Sequence, residues 1–372
     1  MSVQAVLEQF YAAAANPKKQ LDTYLANGDK VVLAAPIYTP EEIIHSMGLV
    51  PMGAWGADMA LSRSKEYFPA FICSIMQSVL ELGMKGAYDG VSAIVIPSLC
   101  DSLKCLGQNW KYAVPSIPFL PMTYPQNRRG EVGKAFTKAG YERVIADLEK
   151  ATGAKFDQEK LAASIAVYNA HNAAMRDLDG ALAAHPEITA AQRCDIYKSA
   201  WFMRKEEHTA LVRELLAGLD AAGGGPEKTK VLVSGVLFDS PALLAALDEL
   251  GFQIAADDVA AESRQYRTDT DPGLPPLEGL SEKFSRMGRC SVLYDVDKER
   301  VDWIVDTAKA RGARGVIVAL TKFCDPEEFD CPLIKKACEK AGLPVVLIET
   351  DRQTVNYEQA KTQLEAFKDI IG

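Results

Sequence analysis

The residues best able to do chemistry in this 372-residue chain are its eight cysteines. Cytoplasmic thiols stay reduced, so metal binding and catalysis are the reasons to look closely at them. No CxxC pair, HExxH helix or four-cysteine ferredoxin run is present, so spacing alone identifies no metal site. Position in the fold has to sort them. Cys100 and Cys324 each close an apolar β-type run and each precede an aspartate, in Ser92-AIVIPSLCD and Gly315-VIVALTKFCD. Ligands in open α/β sheets bind beyond the carboxyl ends of the strands, which makes both thiols ligand candidates. Cys73 lies in Pro69-AFICSIMQSVLEL, a helix opened by Pro69, and a helix N-terminus favours a thiolate or an anionic cluster. Cys105, in CDSLKC, competes for the crevice of Cys100. The rest have plainer readings. Cys338 shares a helical stripe with Leu333, Ile334, Ala337 and Ala341, and Cys194 lies with Tyr197 and Trp201, so both read as core. Cys290 opens a short strand, Ser291-VLY, and Cys331 precedes Pro332 at a helix start, in solvent or loop.

The elements that must position these residues occur twice. Lys30-VVLAAPIYTPEEIIHSMGLVPMG and Lys230-VLVSGVLFDSPALLAALDELGFQI each begin with a β-type run suited to a buried parallel strand. Each continues with a hydroxyl N-cap and a proline, Thr39-Pro40 and Ser240-Pro241, and each helix stops at a glycine, Gly48 or Gly251. The two Cys-Asp strands follow, and then Ile117-PFLPMTYPQNR and Leu343-PVVLIETDRQ. The pattern implies two duplicated α/β domains with parallel sheets. Residues 131–183 and 188–222 carry helical spacing rich in Ala, Leu, Glu and Lys. Ala222-GGGPEK reads as a flexible linker and not a phosphate loop, because it lacks the G-x-x-x-x-G-K-[ST] pattern and precedes a strand. The expected organisation is N-terminal surface helices over 1–28, a first α/β domain over 29–128, a helical region and linker over 129–226, and a second α/β domain over 227–372.

Composition narrows the function classes. Apolar residues at 48% and charged residues at 24% suit a globular chain with real cores. A net charge of −9 offers no basic surplus for nucleic acid or an anionic membrane. Apolar runs break well before the ~18 residues a membrane span needs. No signal peptide is read at the N-terminus, where Glu8 interrupts the apolar stretch and no basic n-region precedes it. The expected location is the cytoplasm.

Five segments then carry a resemblance: Phe68-PAFICSIMQS, Pro97-SLCDSLKCLGQNWK, Phe202-MRKEEHTALV, Ala256-DDVAAESRQYRTD and Lys322-FCDPEEFD. In order, and from about residue 5 to residue 370, the chain resembles the β subunit of the 2-hydroxyacyl-CoA dehydratases. The nearest flavour is the lactyl-, phenyllactyl- or 2-hydroxyisocaproyl-CoA subfamily. The resemblance implies two flavodoxin-like α/β domains with helical additions, a heterodimer with a homologous α subunit, and one [4Fe–4S] cluster on this chain held by Cys73, Cys100 and Cys324. Cys105 is outside that pattern, and Cys331 stands where the family usually has tyrosine. It also implies a transient ATP-hydrolysing iron–sulfur activator, an anaerobic setting and a 2-hydroxyacyl-CoA substrate. The fourth cluster ligand is not implied, and no flavin signature is present.

The implied chemistry explains the need for a cluster. The hydroxyl to be lost is α to the thioester carbonyl, but the proton sits on the β carbon, which the carbonyl does not acidify. Ordinary general-base chemistry fails there. In the family, one electron added to the thioester gives a ketyl radical that expels hydroxide and makes the β proton removable. The electron is then returned. The β-subunit cluster would relay or hold that electron. No residue of this chain is singled out as catalytic. Asp101 and Asp325 read as caps of the next helix or, second, as groups that tune the cluster. Arg264 and Arg267 read as exposed, with CoA phosphates or the activator as alternatives. Asn109, Trp110 and Gln77 read as packing or hydrogen-bonding residues, and His208 reads as a surface residue. Three rival readings remain: an electron-delivering subunit of a benzoyl-CoA-reductase-type enzyme, a non-catalytic relay partner, and a zinc site.

Overall fold

The computed structural model describes residues 1–222, 224–353 and 357–372. The linker read at 222–228 includes position 223, which lies outside the described residues. Four short strands, β1 (Val31–Ala34), β2 (Val50–Gly53), β3 (Ala93–Pro97) and β4 (Phe119–Met122), form one sheet in the order β2-β1-β3-β4. β5 (Thr229–Gly235), β6 (Phe252–Val259), β7 (Gly315–Thr321) and β8 (Val345–Thr350) repeat that order as β6-β5-β7-β8. Every pairing is parallel, with Leu33 opposite Ile94 in one sheet and Val233 opposite Ile317 in the other. The strand order reverses between β1 and β3, and again between β5 and β7. Crevices open at such switch points, beyond the strand carboxyl ends. β1, β3 and the core stretches of β5 and β7 are buried on both faces, as expected of near-continuous apolar runs covered by helices.

Fourteen helices surround the sheets among the described residues. In chain order they are α1 (Val3–Ala15), α2 (Pro17–Ala26), α3 (Glu41–Ser46), α4 (Ser74–Met84), α5 (Asp101–Ala113), α6 (Gly130–Thr152), α7 (Gln158–Leu182), α8 (Ala190–Ser199), α9 (Lys205–Ala222), α10 (Pro241–Glu249), α11 (Pro276–Arg286), α12 (Glu299–Ala310), α13 (Asp325–Lys340) and α14 (Glu358–Ile371). Short 3₁₀ turns sit at Ser64–Glu66 and Ser263–Tyr266. Gly48 and Gly251 close α3 and α10 with φ of +72° and +69°, a left-handed conformation that glycine adopts without a Cβ clash. α10 opens at Ser240 with Pro241 in its first turn, whereas α3 starts one residue later than Thr39-Pro40 implies, with Pro40 at its N-cap.

The two α/β units share one apolar core. It runs from Leu33, Val95 and Trp110 through Trp55 and Trp201 to Val233, Phe284 and Ile317. Tyr124, just after β4, stacks on Phe284 of α11 at 4.0 Å. Trp201, from the central helices, stacks on Trp55 at 5.1 Å and donates its indole N–H to the Ala261 carbonyl at 3.0 Å. α1 is more than a surface helix, because Val6 and Phe10 are fully enclosed against α8 and α9. No described helix is long and apolar enough to cross a membrane.

Candidate metal centre

Cys73, Cys100 and Cys324 occupy the same structural position in three helices: each is the N-cap, of α4, α5 and α13 respectively. The last two follow equivalent strands, β3 and β7, by three residues. The aspartates after them are therefore not the caps that sequence reasoning assigned. Asp101 and Asp325 are the first helical residues. The Asp101 side chain is 88% exposed and pairs with Lys104 at 3.0 Å. Cysteine takes the capping position because an extended residue must leave the strand and turn its side chain back over the helix end, as Cys100 does at φ −140°, ψ 169°. Ahead of Cys324 the turn is tighter. Phe323 sits at φ +61°, a left-handed conformation that bulky residues avoid and that surrounding structure must hold in place.

The three thiols face one another. The Cys73 thiol acts on that of Cys100, and both act on Cys324, each raising the cost of ionising the next. Burial is the larger cause. Cys73 and Cys324 are 7% and 8% exposed, and Cys100 is half-buried. Burial pushes Cys100 up to about 12, against the pull of the Leu103 N–H and in concert with Cys73. Cys324 lies well above the usual thiol range for the same reason, with Cys73 and Glu327 adding to it. Cys73 is raised too, although the N–H groups of Ile75 and Met76 pull it down. Three neutral thiols at helix N-termini can become thiolates when cationic metal replaces their protons.

Geometry separates the metal classes. A single tetrahedral zinc at ~2.3 Å from each sulfur brings the sulfurs within about 3.8 Å of one another. Among the described residues, the group of three ligand atoms lying within 4.8 Å of one another is Asp295, Asp297 and Glu299, not the cysteines. As they stand, the three sulfurs are more widely spaced than one zinc ion would hold them. The acidic trio is already neutralised in part by Arg129, whose Nη2 lies 3.6 Å from Glu299 and 3.9 Å from Asp295.

The remaining cysteines resolve cleanly. Cys105 is exposed on α5 and does not join the crevice. Cys194 and Cys338 are buried core residues. Cys290 is buried, with Sγ 3.6 Å from Arg264 Nη1, and residues 291–294 form a turn, not the strand read from the sequence. Cys331 lies inside α13, which starts at Asp325, seven residues before Pro332.

Two further corrections concern charge. Arg264 is 3% exposed and belongs to a buried ion network. It binds Asp258 through Nε at 3.1 Å and Nη2 at 2.9 Å, and Glu327 through Nη1 at 3.1 Å. Arg300 of α12 joins it, reaching Asp258, Glu327 and Asp330 at 2.7, 2.7 and 3.0 Å. Burial drives the Glu327 carboxyl up, but Arg300 and Arg264 outweigh it and hold it below the usual range. Arg267 contributes from the edge, bonding Asp258 at 3.0 Å and stacking on Trp303 at 3.7 Å. The network anchors the first turn of α13 under Cys324. Its signal was present in the DD-x-x-x-ES-R and CDP-EE motifs, but sequence gives no view of burial. His208 is likewise enclosed, not superficial. Burial drives it down to about 3, and Nε2 bonds the Ile196 carbonyl at 2.9 Å.

Supporting residues hold the three caps. Gln77 reaches the Ile72 carbonyl at 2.9 Å, Asn109 the Tyr67 carbonyl at 2.7 Å, and Trp110 the Ile117 carbonyl at 2.9 Å. Arg352 joins the halves beside Cys73. Its N–H donates to Ser74 Oγ at 3.1 Å, and its guanidinium reaches Asp58 at 2.8 Å and Asp239 at 2.9 Å. A crevice of about 630 Å³, lined by Leu99, Cys100, Lys104, Tyr294, Lys298 and Phe329, opens beside the thiols. Exposed Tyr294, Val296 and Phe329 bring apolar side chains to its lining.

Comparison with known proteins agrees with this architecture. The sequence profile of the family described as 2-hydroxyglutaryl-CoA dehydratase, D-component, matches residues 36–371. The chain is 45% identical to the (R)-phenyllactyl-CoA dehydratase beta subunit of Clostridium sporogenes over 96% of both chains. It is 41% identical to the lactoyl-CoA dehydratase subunit beta of Anaerotignum propionicum over 99% of each. It is 37% identical to the (R)-2-hydroxyglutaryl-CoA dehydratase subunit beta of Acidaminococcus fermentans over 100% of each. A profile match across most of the chain and full-length relatives at this identity make the chain a member of the 2-hydroxyglutaryl-CoA dehydratase D-component family.

Proposed function

We propose that this chain is the β subunit of a heterodimeric 2-hydroxyacyl-CoA dehydratase, which removes water from (R)-2-hydroxyacyl-CoA to give the 2-enoyl-CoA. Cys73, Cys100 and Cys324 would hold its [4Fe–4S] cluster. The observation that carries this reading is the convergence of three cysteine N-caps, two buried and one half-buried, at the seam of two duplicated sheets, in a chain whose full-length relatives are dehydratase beta subunits. A bound cluster supplies one-electron chemistry at low potential, which a hydroxyl α to the carbonyl and a proton on the β carbon require.

This chain's own residues do the rest. The three thiols give up their protons on loading, and the N-terminal dipoles of α4, α5 and α13 stabilise the anionic sulfurs. Phe68, Ile72 and Leu103 are buried near the caps and help keep water from the sulfurs. The apolar rim of Tyr294, Val296 and Phe329 suits a protein surface, and the α subunit is the partner assigned to it. An ATP-dependent iron–sulfur activator is the proposed electron source.

Anaerobic co-expression with an α subunit, followed by iron and sulfide analysis, electron paramagnetic resonance and assay of several 2-hydroxyacyl-CoA substrates with an activator, tests the proposal. Dehydration without net consumption of reductant is expected. Stoichiometric reductant use would instead support a reductase of the benzoyl-CoA type. Full activity in Cys73→Ser and Cys324→Ser heterodimers would reduce this chain to a structural partner.

A further inference from the structure

The buried network beneath Cys324 has a sign as well as a shape. Its three enclosed carboxylates, Asp258, Glu327 and Asp330, face two enclosed guanidiniums, Arg264 and Arg300. Arg267 and Lys298 add positive charge from the rim, where their side chains are 19% and 45% exposed and water and salt screen them. Three against two leaves the enclosed part with one negative charge in excess. Of its members, Glu327 is nearest to a candidate metal ligand along the chain. It lies in the first turn of α13, and its N–H donates to the Cys324 carbonyl at 3.0 Å. Its carboxylate is fixed from three sides, by Arg264 at 3.1 Å, Arg300 at 2.7 Å and Ser291 Oγ at 2.7 Å.

A fixed negative charge in a poorly polarisable surround opposes the addition of an electron to a neighbouring redox centre. We propose that Glu327 is a positioning residue of the metal centre. It locks the first turn of α13, and its charge keeps the reduction potential of the group bound by Cys73, Cys100 and Cys324 low. This inference rests on the cluster reading above. Arg264 and Arg300 hold the carboxylate in place and temper its field. The residue that anchors the helix therefore also sets how strongly reducing the centre is.

A redox titration of the anaerobically purified heterodimer, followed by electron paramagnetic resonance, tests this. The signal lost in Cys324→Ser identifies this chain's component. In Glu327→Gln, the reduced-to-oxidised ratio at a fixed poise should rise on the order of tenfold, which is about 59 mV for one electron. Glu327→Asp keeps the charge, so its potential should stay at the wild-type value even if its melting temperature falls. Asp330→Asn, one turn further along α13, should shift the same way by less. A Glu327→Gln protein with full iron content and an unmoved potential overturns the proposal. If that variant does not accumulate, Asp330→Asn decides, and no upward shift there overturns it. Wild-type protein without iron or signal would sink the cluster reading and this inference together. A wild-type signal with unmoved variants sinks the charge assignment alone.

Discussion

Three buried thiols that stay protonated make the metal-free chain sensitive to alkali in a way that can be calculated. An unfolded cysteine ionises with a pKa near ~8.5. In the folded chain Cys100 is pushed up to about 12 and Cys324 lies well above the usual range, with burial the main cause. Between these limits the folded protein holds protons that the unfolded chain releases. Each thiol's contribution to stability is therefore intact below about pH 8.5 and is lost as pH rises towards the folded pKa. Raising the pH from 7.5 to 9.5 stabilises one unfolded thiol by about 1.4 kcal/mol. Cys100 and Cys324 together cost the fold roughly 2.7 kcal/mol over that window, and Cys73, also raised, adds to it. That is a large share of the ~5–15 kcal/mol typical of a folded protein. The assay is urea unfolding of iron-free chain at the two pH values, beside the Cys73→Ser, Cys100→Ser, Cys324→Ser triple variant. All other cysteines are common to both proteins and cancel. The wild type should lose at least ~2.5 kcal/mol more than the variant between the two pH values. Equal losses in the two proteins would refute the claim that these thiols are held neutral by burial.

Other perturbations follow from the same contacts. Arg264→Met removes one of the two guanidiniums that Asp258 and Glu327 share and leaves Arg300 alone against them; it should cost about 3–5 kcal/mol of stability by denaturant titration. A Cβ on Gly83 would lie 2.8 Å from the Trp110 ring and 2.9 Å from Val114. Gly83→Ala should therefore lose about 1–3 kcal/mol, read as a lower melting temperature, because α4 must move off α5. Arg352→Met removes the clamp between Asp58 and Asp239; limited proteolysis should cut the chain between its halves faster than in the wild type. Cys105→Ser, on the exposed face of α5, should leave iron content unchanged, and iron loss there would count against the three-cysteine assignment.

What could be read without coordinates was decided by local chemistry. Apolar runs ending in Cys-Asp marked β3 and β7, because a buried parallel strand needs continuous apolar residues and its ligands gather at its carboxyl end. Gly48 and Gly251 were legible as helix ends because only a left-handed residue closes the turn there. Cys73 was placed near a helix N-terminus, but the helix read as opening at Pro69 opens at Ser74, with Cys73 as its N-cap; Cys105 was excluded only by resemblance. What escaped depends on long-range packing. Aspartate is the better N-cap in isolation, so Asp101 and Asp325 looked like caps until the thiols were seen to occupy that position. Arginine is usually exposed, so Arg264 looked solvated. Its partners are Asp258, six residues away, and Glu327, sixty-three residues away, which lie on β6 and α13, two elements that both pack on α12. His208 fails in the same way, since a KEEHT segment looks polar until α9 is packed against α7.

The duplication also explains why there are three cysteines and not four. In the first half, the helix leading into the third strand is α4, and it packs on α5; in the second, the corresponding helix is α12, and it packs on α13. The N-caps of these four helices are Cys73, Cys100, Lys298 and Cys324. Repetition thus creates four equivalent helix N-termini at one seam, and three carry a thiol. At the fourth, Lys298 adopts φ +52° and pairs with Asp330 at 2.8 Å, while Arg300, two residues on, pairs with Glu327. Where the first half supplies a ligand, the second supplies the cations that fix the helix of Cys324. A symmetrical site of four thiols would put a thiol where Lys298 now pairs with Asp330. In the proposed cluster this asymmetry would leave one corner without a protein thiolate, beside the crevice that Lys298 and Cys100 both line. It also couples the geometry of the remaining corner to a charge network that can be altered one residue at a time. Lys298→Cys restores the missing equivalence. If the four N-termini are equivalent, that variant should hold its iron more tightly than the wild type against a chelator, and faster iron loss would show that the fourth position is not directed at the site.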